Sequence, residues 1–346
     1  PCRLTGKPFW DIYLYQDPPL FEAGIAAFKH FGHDGWLPAI SVQLPEEIEA
    51  ARRGPQWKQA IVKRTPERIY TRRHARIDGK EKWSADCTVY YIADSPTRGV
   101  PVEKVGMSPD PPESWEDVEP RNHYPGTQTL ERTRQLLGDA GIVGLQVGLP
   151  GLPLKNPEAI TNYMEDPGPF VENAERATER TIERLKKLIA LRPDYILIGN
   201  SGFMISNPEP IFRQLALPAL QKITAVCKAA GMPTIVHCCG PEKDYARMAA
   251  EESDLDCINP LEIPPMGDCD LAELKRRYGR KIALMGNLHT TNTMLRGSRA
   301  DVVEACKRAI DAAAEGGGFI LSTGDQCGRD TPDENIRAMV ETCRTY

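Results

Sequence analysis

The residues of this chain best equipped for chemistry are His237-Cys238-Cys239-Gly240, which follow the apolar run Thr234-Ile235-Val236. That run reads as a strand. Alternate residues of an extended chain point the same way, so His237 and Cys239 are expected on one side. An imidazole and a thiolate so placed supply two of the three ligands of a catalytic zinc and leave a coordination position for substrate. A third ligand must come from another strand, and Cys327 or Asp325 is suitably placed. The plainer reading is a hydrogen-bonded histidine beside a buried thiol.

Polar residues follow the other apolar runs in the same way. Asn200 and Phe203 follow residues 194–199, Glu262 follows 255–259, and Asn287 and His289 follow 281–285. Asp325 and Cys327 follow 319–321. His289 is suited to positioning substrate or exchanging a proton, and Glu262 to general acid–base work or to a place beside the zinc. Asn200 joins these two as a candidate catalytic residue, while Asn259 and Asn287 are suited to binding polar substrate groups. Each asparagine has a bland reading as a turn or cap residue. Trp10, Tyr13, Tyr15, Phe203 and Met204 would line an apolar pocket or simply pack. No Walker loop, Rossmann glycine fingerprint or Gly-x-Ser-x-Gly elbow occurs.

Placing these residues at one end requires a repeating scaffold. From about residue 126 helical and strand patterns alternate: helices over 127–140, 169–191, 208–230, 242–252, 271–278, 299–314 and 333–343. Strands fall between them over 142–147, 194–199, 234–236, 255–259, 281–285 and 319–321. Successive βα units with short connections mean a parallel sheet, and this many in a row predict a closed (β/α)₈ TIM barrel, whose active site lies at the carboxyl ends of the strands. The first third differs. Residues 9–15 read as the opening strand, and a helix lies near residues 19–31. Residues 56–93 alternate with period two around an Asp78-Gly79 turn, predicting an antiparallel β-ribbon. Residues 94–125, rich in proline, read as loop. The whole is expected to be a single barrel domain over residues 1–346, decorated by an N-terminal ribbon and loop insertion at 56–125.

Composition sets outer limits. The chain has 346 residues, 41% of them hydrophobic and 26% charged, an ordinary globular balance. A net charge of −5 gives no general reason to expect nucleic-acid binding. The one basic run, over residues 68–76, is expected to be a solvated strand face. No apolar stretch approaches the roughly 20 residues that span a bilayer, and the opening residues lack the apolar core of a signal peptide. Ten cysteines, several in helical patterns, read as small core residues of a reducing compartment, so a cytoplasmic location is expected.

Residues 194–339 resemble the uroporphyrinogen-decarboxylase superfamily. The resemblance rests on Asp194-Tyr195-Ile196-Leu197-Ile198-Gly199, Leu217-Pro218-Ala219-Leu220 and Ile235-Val236-His237-Cys238-Cys239-Gly240. It continues through Met285-Gly286-Asn287, Gly316-Gly317-Gly318-Phe319-Ile320-Leu321 and Thr331-Pro332-Asp333-Glu334-Asn335-Ile336. It implies a barrel and one of two chemistries. Porphyrinogen decarboxylases of the family carry an Arg-rich N-terminal substrate motif, which Gly6-Lys7-Pro8-Phe9-Trp10-Asp11 does not resemble. The other branch, corrinoid-dependent methyltransferases, binds zinc through His-x-Cys and a distant Cys. His237 and Cys239 match the first two positions. Counting back from Thr331-Pro332, the family's cysteine position falls on Asp325, two residues before Cys327.

The resemblance thus implies a zinc-containing methyltransferase that moves a methyl group between a small substrate and a corrinoid (cobalamin). The chain carries no D-x-H-x-x-G cobalamin motif, so the corrinoid is expected on a separate partner protein. The aromatic N-terminal segment suggests a methoxylated aromatic as donor, that is, O-demethylation. Neither nucleic acid nor membrane is expected as a partner, and a homodimer is compatible with the sequence. The rival readings are a metal-free decarboxylase and a non-catalytic binding subunit of a methyltransfer complex.

Overall fold

A computed structural model describes residues 1–35, 39–153 and 156–346. The chain falls into two compact units. The first gathers the described residues up to Gly141 apart from Ala39, and the second gathers Ala39 and the described residues from Ile142 to Tyr346.

The second unit is an α/β fold on a seven-stranded sheet. From one edge the strands run Ala39–Ile40, Gly144–Val147, Tyr195–Gly199, Thr234–His237, Cys257–Asn259, Ala283–Leu288 and Phe319–Thr323. The last six follow chain order and pair in parallel. Helices Gly168–Ala190, Leu217–Ala229, Lys243–Glu252, Leu271–Tyr278 and Arg299–Ala313 connect them, and Asp333–Thr345 follows the last strand. Local signals fix their ends. Asp270 accepts from the Glu273 N–H, and Ser298 forms a capping box with Asp301.

Ile198, Val236, Ile258 and Leu284 stand side by side in register and are fully buried. Each such side chain gives roughly 1.5–3 kcal/mol on leaving water. Their neighbours one residue on, Gly199, His237 and Asn259, form a second row on the opposite face and are only half-buried. The side-chain alternation of a strand therefore delivers the apolar residues to one face and the reactive ones to the other. The last strands run further than the periodicity predicted: Ala283–Leu288 takes in Gly286 and Asn287. A Cβ on Gly286 would lie 2.1 Å from the Pro260 carbonyl oxygen, so only glycine lets the strand pass there. The single helix expected over 208–230 is two, Glu209–Leu215 and Leu217–Ala229. The break precedes Pro218, whose missing N–H suits a helix start better than an interior.

The first unit is built on a six-stranded antiparallel sheet: Lys58–Arg64, Arg68–Ile77, Lys80–Trp83, Asp86–Tyr91, Thr97–Pro101 and Glu116–Asp117. The second and third of these form a hairpin that turns at Asp78-Gly79, both residues with positive φ. This unit departs from the sequence expectation at three places. Residues 9–15 are not an opening strand; Phe9–Tyr13 is a helix entered from Pro8. Its Trp10, Tyr13 and Leu14 recur at helical spacing and pack on Ile61, Ile69 and Tyr90 of the sheet, which overrides their strand propensity. Residues 94–125 are not all loop, because Thr97–Pro101 and Glu116–Asp117 are sheet strands too short to show a period. The basic run is not wholly solvated. Arg72 and His74 are 3% and 7% exposed.

The two buried basic side chains are held differently. Arg72 donates five hydrogen bonds to the carbonyls of Ser84, Ser108, Pro109 and Asp110. His74 bridges two carboxylates, Glu81 at Nδ1 and Asp117 at Nε2 (2.8 Å), and stacks on Trp83. Burial alone would pull the His74 imidazole down, but the bonds to Glu81 and Asp117 outweigh it and raise its pKa. Among the described residues no helix is long and apolar enough to cross a membrane.

Candidate functional site

The half-buried row of the parallel sheet opens into a cluster of titratable groups. His237 ends its strand between Gly199 and Asn259. Its Nδ1 lies 2.7 Å from Asn259 Oδ1, while Asn259 Nδ2 turns toward the Met285 carbonyl at 3.4 Å. That second contact fixes the amide orientation, so His237 donates from Nδ1 and keeps the Nε2 lone pair unused. This is how a metal-binding imidazole is usually held from behind. Cys239, two residues on, is partly exposed; burial raises its thiol pKa, against a hydrogen bond from Ser201 that lowers it.

Glu262 is where these strand ends meet. It is 6% exposed, and its carboxylate accepts the Gly240 N–H at 2.6 Å. Burial raises its pKa, with Asp325 adding to the rise and His289 and His237 opposing it. Asp325 also acts on Cys239. Groups from three other strand ends thus lie within electrostatic reach of the Glu262 carboxyl.

The segment bearing Glu262 is clasped from below by Glu242, the N-cap of helix Lys243–Glu252. Glu242 is fully buried, and one of its oxygens accepts the Leu261 N–H at 2.5 Å. Its other oxygen has no partner among the described residues. Burial raises the Glu242 pKa well above the carboxylate range, and the nearby Glu262 and Asp268 push it the same way. The clasp is reciprocal: Glu242 holds 261, and Glu262 holds Gly240. Gly267 packs against it, since a Cβ there would lie 2.3 Å from the Glu262 carbonyl oxygen and 2.6 Å from that of Gly240. Sequence reading missed Glu242 entirely. It looked like an ordinary helix start, and only its zero exposure marks it.

The remaining candidates fall as follows. His289 Nδ1 accepts two backbone N–H bonds, from Thr291 and Asn292, both at 3.1 Å, and so caps the π-helical turn Thr290–Leu295. An accepting Nδ1 puts the ring proton on Nε2, which makes His289 a hydrogen-bond donor rather than a base. Asn287, 8% exposed, donates to the Leu261 carbonyl at 3.1 Å. Asn287 and His289 also line a cavity of about 480 Å³ beside helices Leu271–Tyr278 and Arg299–Ala313. Asn200 is 4% exposed, with neither amide atom hydrogen-bonded among the described residues. Phe203 begins a short helix and packs edge-on to Phe212 at 6.0 Å. Trp10 and Tyr13 belong to the first unit and pack there. Burial raises the Cys327 thiol pKa, and the Thr323 hydroxyl donates to the Asp325 carbonyl at 2.7 Å. Among the described residues no three His, Cys, Asp or Glu side chains stand close enough to hold a metal together.

Known proteins can be set beside this geometry. The profile of the uroporphyrinogen decarboxylase (URO-D) family matches residues 153–346, more than half of the chain. A methylcobamide:CoM methyltransferase of Methanosarcina barkeri is 28% identical over 184 residues, 51% of this chain and 49% of that protein. A uroporphyrinogen decarboxylase of Anaeromyxobacter dehalogenans is 24% identical over 172 residues, 50% of this chain and 46% of that one. The chain therefore spans about half the length of the curated relatives it matches. Among solved structures, a methyltransferase from Methanosarcina mazei superposes with a TM-score of 0.62 at 16% identity, covering 98% of this chain and 88% of that one. At such identity the likeness is one of fold. The extent of the family match, over the segment that carries the His237–Cys239 pair and Glu262, places this chain in the uroporphyrinogen decarboxylase (URO-D) family.

Proposed function

We propose that this chain transfers a methyl group between a small substrate and a corrinoid carried by a separate protein, assisted by zinc held at His237 and Cys239. The observation that carries the reading is the His237–Asn259 bond, which leaves the imidazole Nε2 lone pair unused two residues from Cys239. The donor types fit zinc. For the third ligand Asp325 is preferred to Cys327, because Asp325 acts on both Cys239 and Glu262. Bound zinc would activate a thiol acceptor or withdraw electrons from an ether oxygen.

The chain's own residues supply the rest. Asn259 orients the imidazole. Glu262, with its raised pKa, is suited to hold a proton and give it to a leaving oxygen. His289 offers its Nε2–H, and the unpartnered amide of Asn200 awaits a ligand with both donor and acceptor. A methyltransferase among the relatives supports the reaction class. The reading includes closure of the parallel sheet into a (β/α)₈ barrel with residues 56–125 as its decoration, and a methoxylated aromatic as donor. Its rival is a metal-free decarboxylase, favoured by the match to a uroporphyrinogen decarboxylase.

The test is zinc-loaded protein given methylcob(III)alamin and a thiol, or cob(I)alamin and a methoxybenzene. Loss of methylcob(III)alamin in the first, or its formation in the second, is expected, and neither in His237→Ala. Turnover that survives both His237→Ala and complete zinc removal would overturn the proposal.

A further inference from the structure

The antiparallel unit contains a second polar cavity, of about 420 Å³, lined entirely by its own residues. We propose that this cavity binds a small molecule through an oxyanion group, a carboxylate or a phosphate. The volume lies within the roughly 300–1,000 Å³ usual for small-molecule sites.

Its floor is one face of the sheet. Gln59, Thr71 and Tyr90 share that face by register, since Gln59 pairs with Arg73 and Ile69 with Tyr90. Gln59 Nε2 donates to both Thr71 Oγ1 and Tyr90 Oη, each at 2.8 Å. Tyr90, 5% exposed, thus accepts a hydrogen bond and retains its own O–H proton, for which no acceptor exists among the described residues. The same face continues as the apolar patch of Ile61, Ile69 and Leu14. A polar floor beside an apolar one gains nothing from packing, and a ligand that takes the spare proton gives it a purpose.

The walls are cationic. Arg73 and Arg98 are exposed, and neither guanidinium has an ion-pair partner among the described residues. Arg73 lies over the Trp57 ring at 5.9 Å, and Arg98 acts electrostatically on both Tyr13 and Tyr90. Arg72 beneath spends all five N–H donors on carbonyls and adds only its charge, which no direct ion pair cancels. Asp86 is the single carboxylate in the lining. Two exposed guanidiniums and the unpaired charge of a third against one carboxylate, with a phenol proton between them, suit a planar or tetrahedral oxyanion.

The inference is independent of the methyl-transfer reading, because no residue of the parallel unit takes part. Its test is calorimetric titration of the full chain, free of metal and corrinoid, with benzoate and separately with inorganic phosphate. Saturable, salt-sensitive binding of at least one probe is expected, and the tighter arm identifies the oxyanion. Arg98→Gln and Arg73→Gln should each weaken it about tenfold, as loss of a charge-assisted bond does. Tyr90→Phe should weaken it about threefold through loss of one neutral hydrogen bond. Arg76→Gln, an exposed cation outside the cavity, should leave it unchanged. Failure of both probes to saturate, or equal weakening by Arg76→Gln and Arg98→Gln, would overturn the proposal.

Discussion

Replacing Glu242 separates two accounts of why a carboxylic acid is sealed inside this protein. If the clasp holds Glu262 in place, Glu242→Ala strands the Leu261 N–H, which Glu242 accepts at 2.5 Å. A buried donor left without a partner costs about 1–3 kcal/mol, and deleting the side chain adds a cavity cost of similar order. Against this, the variant no longer buries an oxygen without a partner, a relief of about 1–2 kcal/mol. The net expectation is about 2–3 kcal/mol of destabilisation. Glu242→Gln is different. Burial raises its pKa well above the usual carboxylate range, and an amide matches the uncharged acid in charge and nearly in shape. One oxygen still accepts from Leu261, so the loss should stay under about 1 kcal/mol. Urea unfolding at pH 7 reads both values from the midpoint at constant slope. Equal destabilisation by Ala and Gln, or none by Ala, would refute the clasp.

Other perturbations follow from the same geometry. His74 has a raised pKa, so the folded chain holds its proton more tightly than the unfolded one. Its contribution is complete below the unfolded value of about 6.5 and is lost as pH rises through the folded value. Unfolding measured across that range should show stability falling with pH, and His74→Gln should remove that decline. His289→Leu leaves the N–H groups of Thr291 and Asn292 uncapped and should cost about 0.5–2 kcal/mol in thermal or urea unfolding. Glu262→Gln keeps an acceptor for Gly240 but cannot ionise. Because the Glu262 pKa is raised, its ionised form weakens folding as pH rises, so the variant should equal wild type below the unfolded value of about 4.3 and exceed it in stability as pH rises through the folded value.

What could be read in advance depended on range. The parallel strands announce themselves because they are covered on the helix side and rich in Ile, Val and Leu, as at Tyr195–Gly199 and Thr234–His237. Helix ends carried local signals, Asp270 and Ser298 among them. The segment Phe9–Tyr13 was misread because aromatic residues favour strands until a sheet is offered to pack against, and the offer comes some fifty residues later from Ile61 and Ile69. His237, Cys239, Glu262 and His289 were recognisable as types at strand ends. Their roles were not, since the tautomers of His237 and His289 are set by Asn259 and by two backbone amides. Glu242 was invisible because nothing in a sequence reports that a charged residue has lost all contact with water.

Zinc-edge X-ray absorption on the metal-loaded chain bears most directly on the central claim. The account predicts about one zinc per chain, with a sulfur shell near 2.3 Å and a nitrogen shell near 2.0–2.1 Å. The sulfur shell should vanish in Cys239→Ala and the imidazole shell in His237→Ala. A chain that retains no zinc, or a zinc whose shell keeps its sulfur in Cys239→Ala, would contradict it.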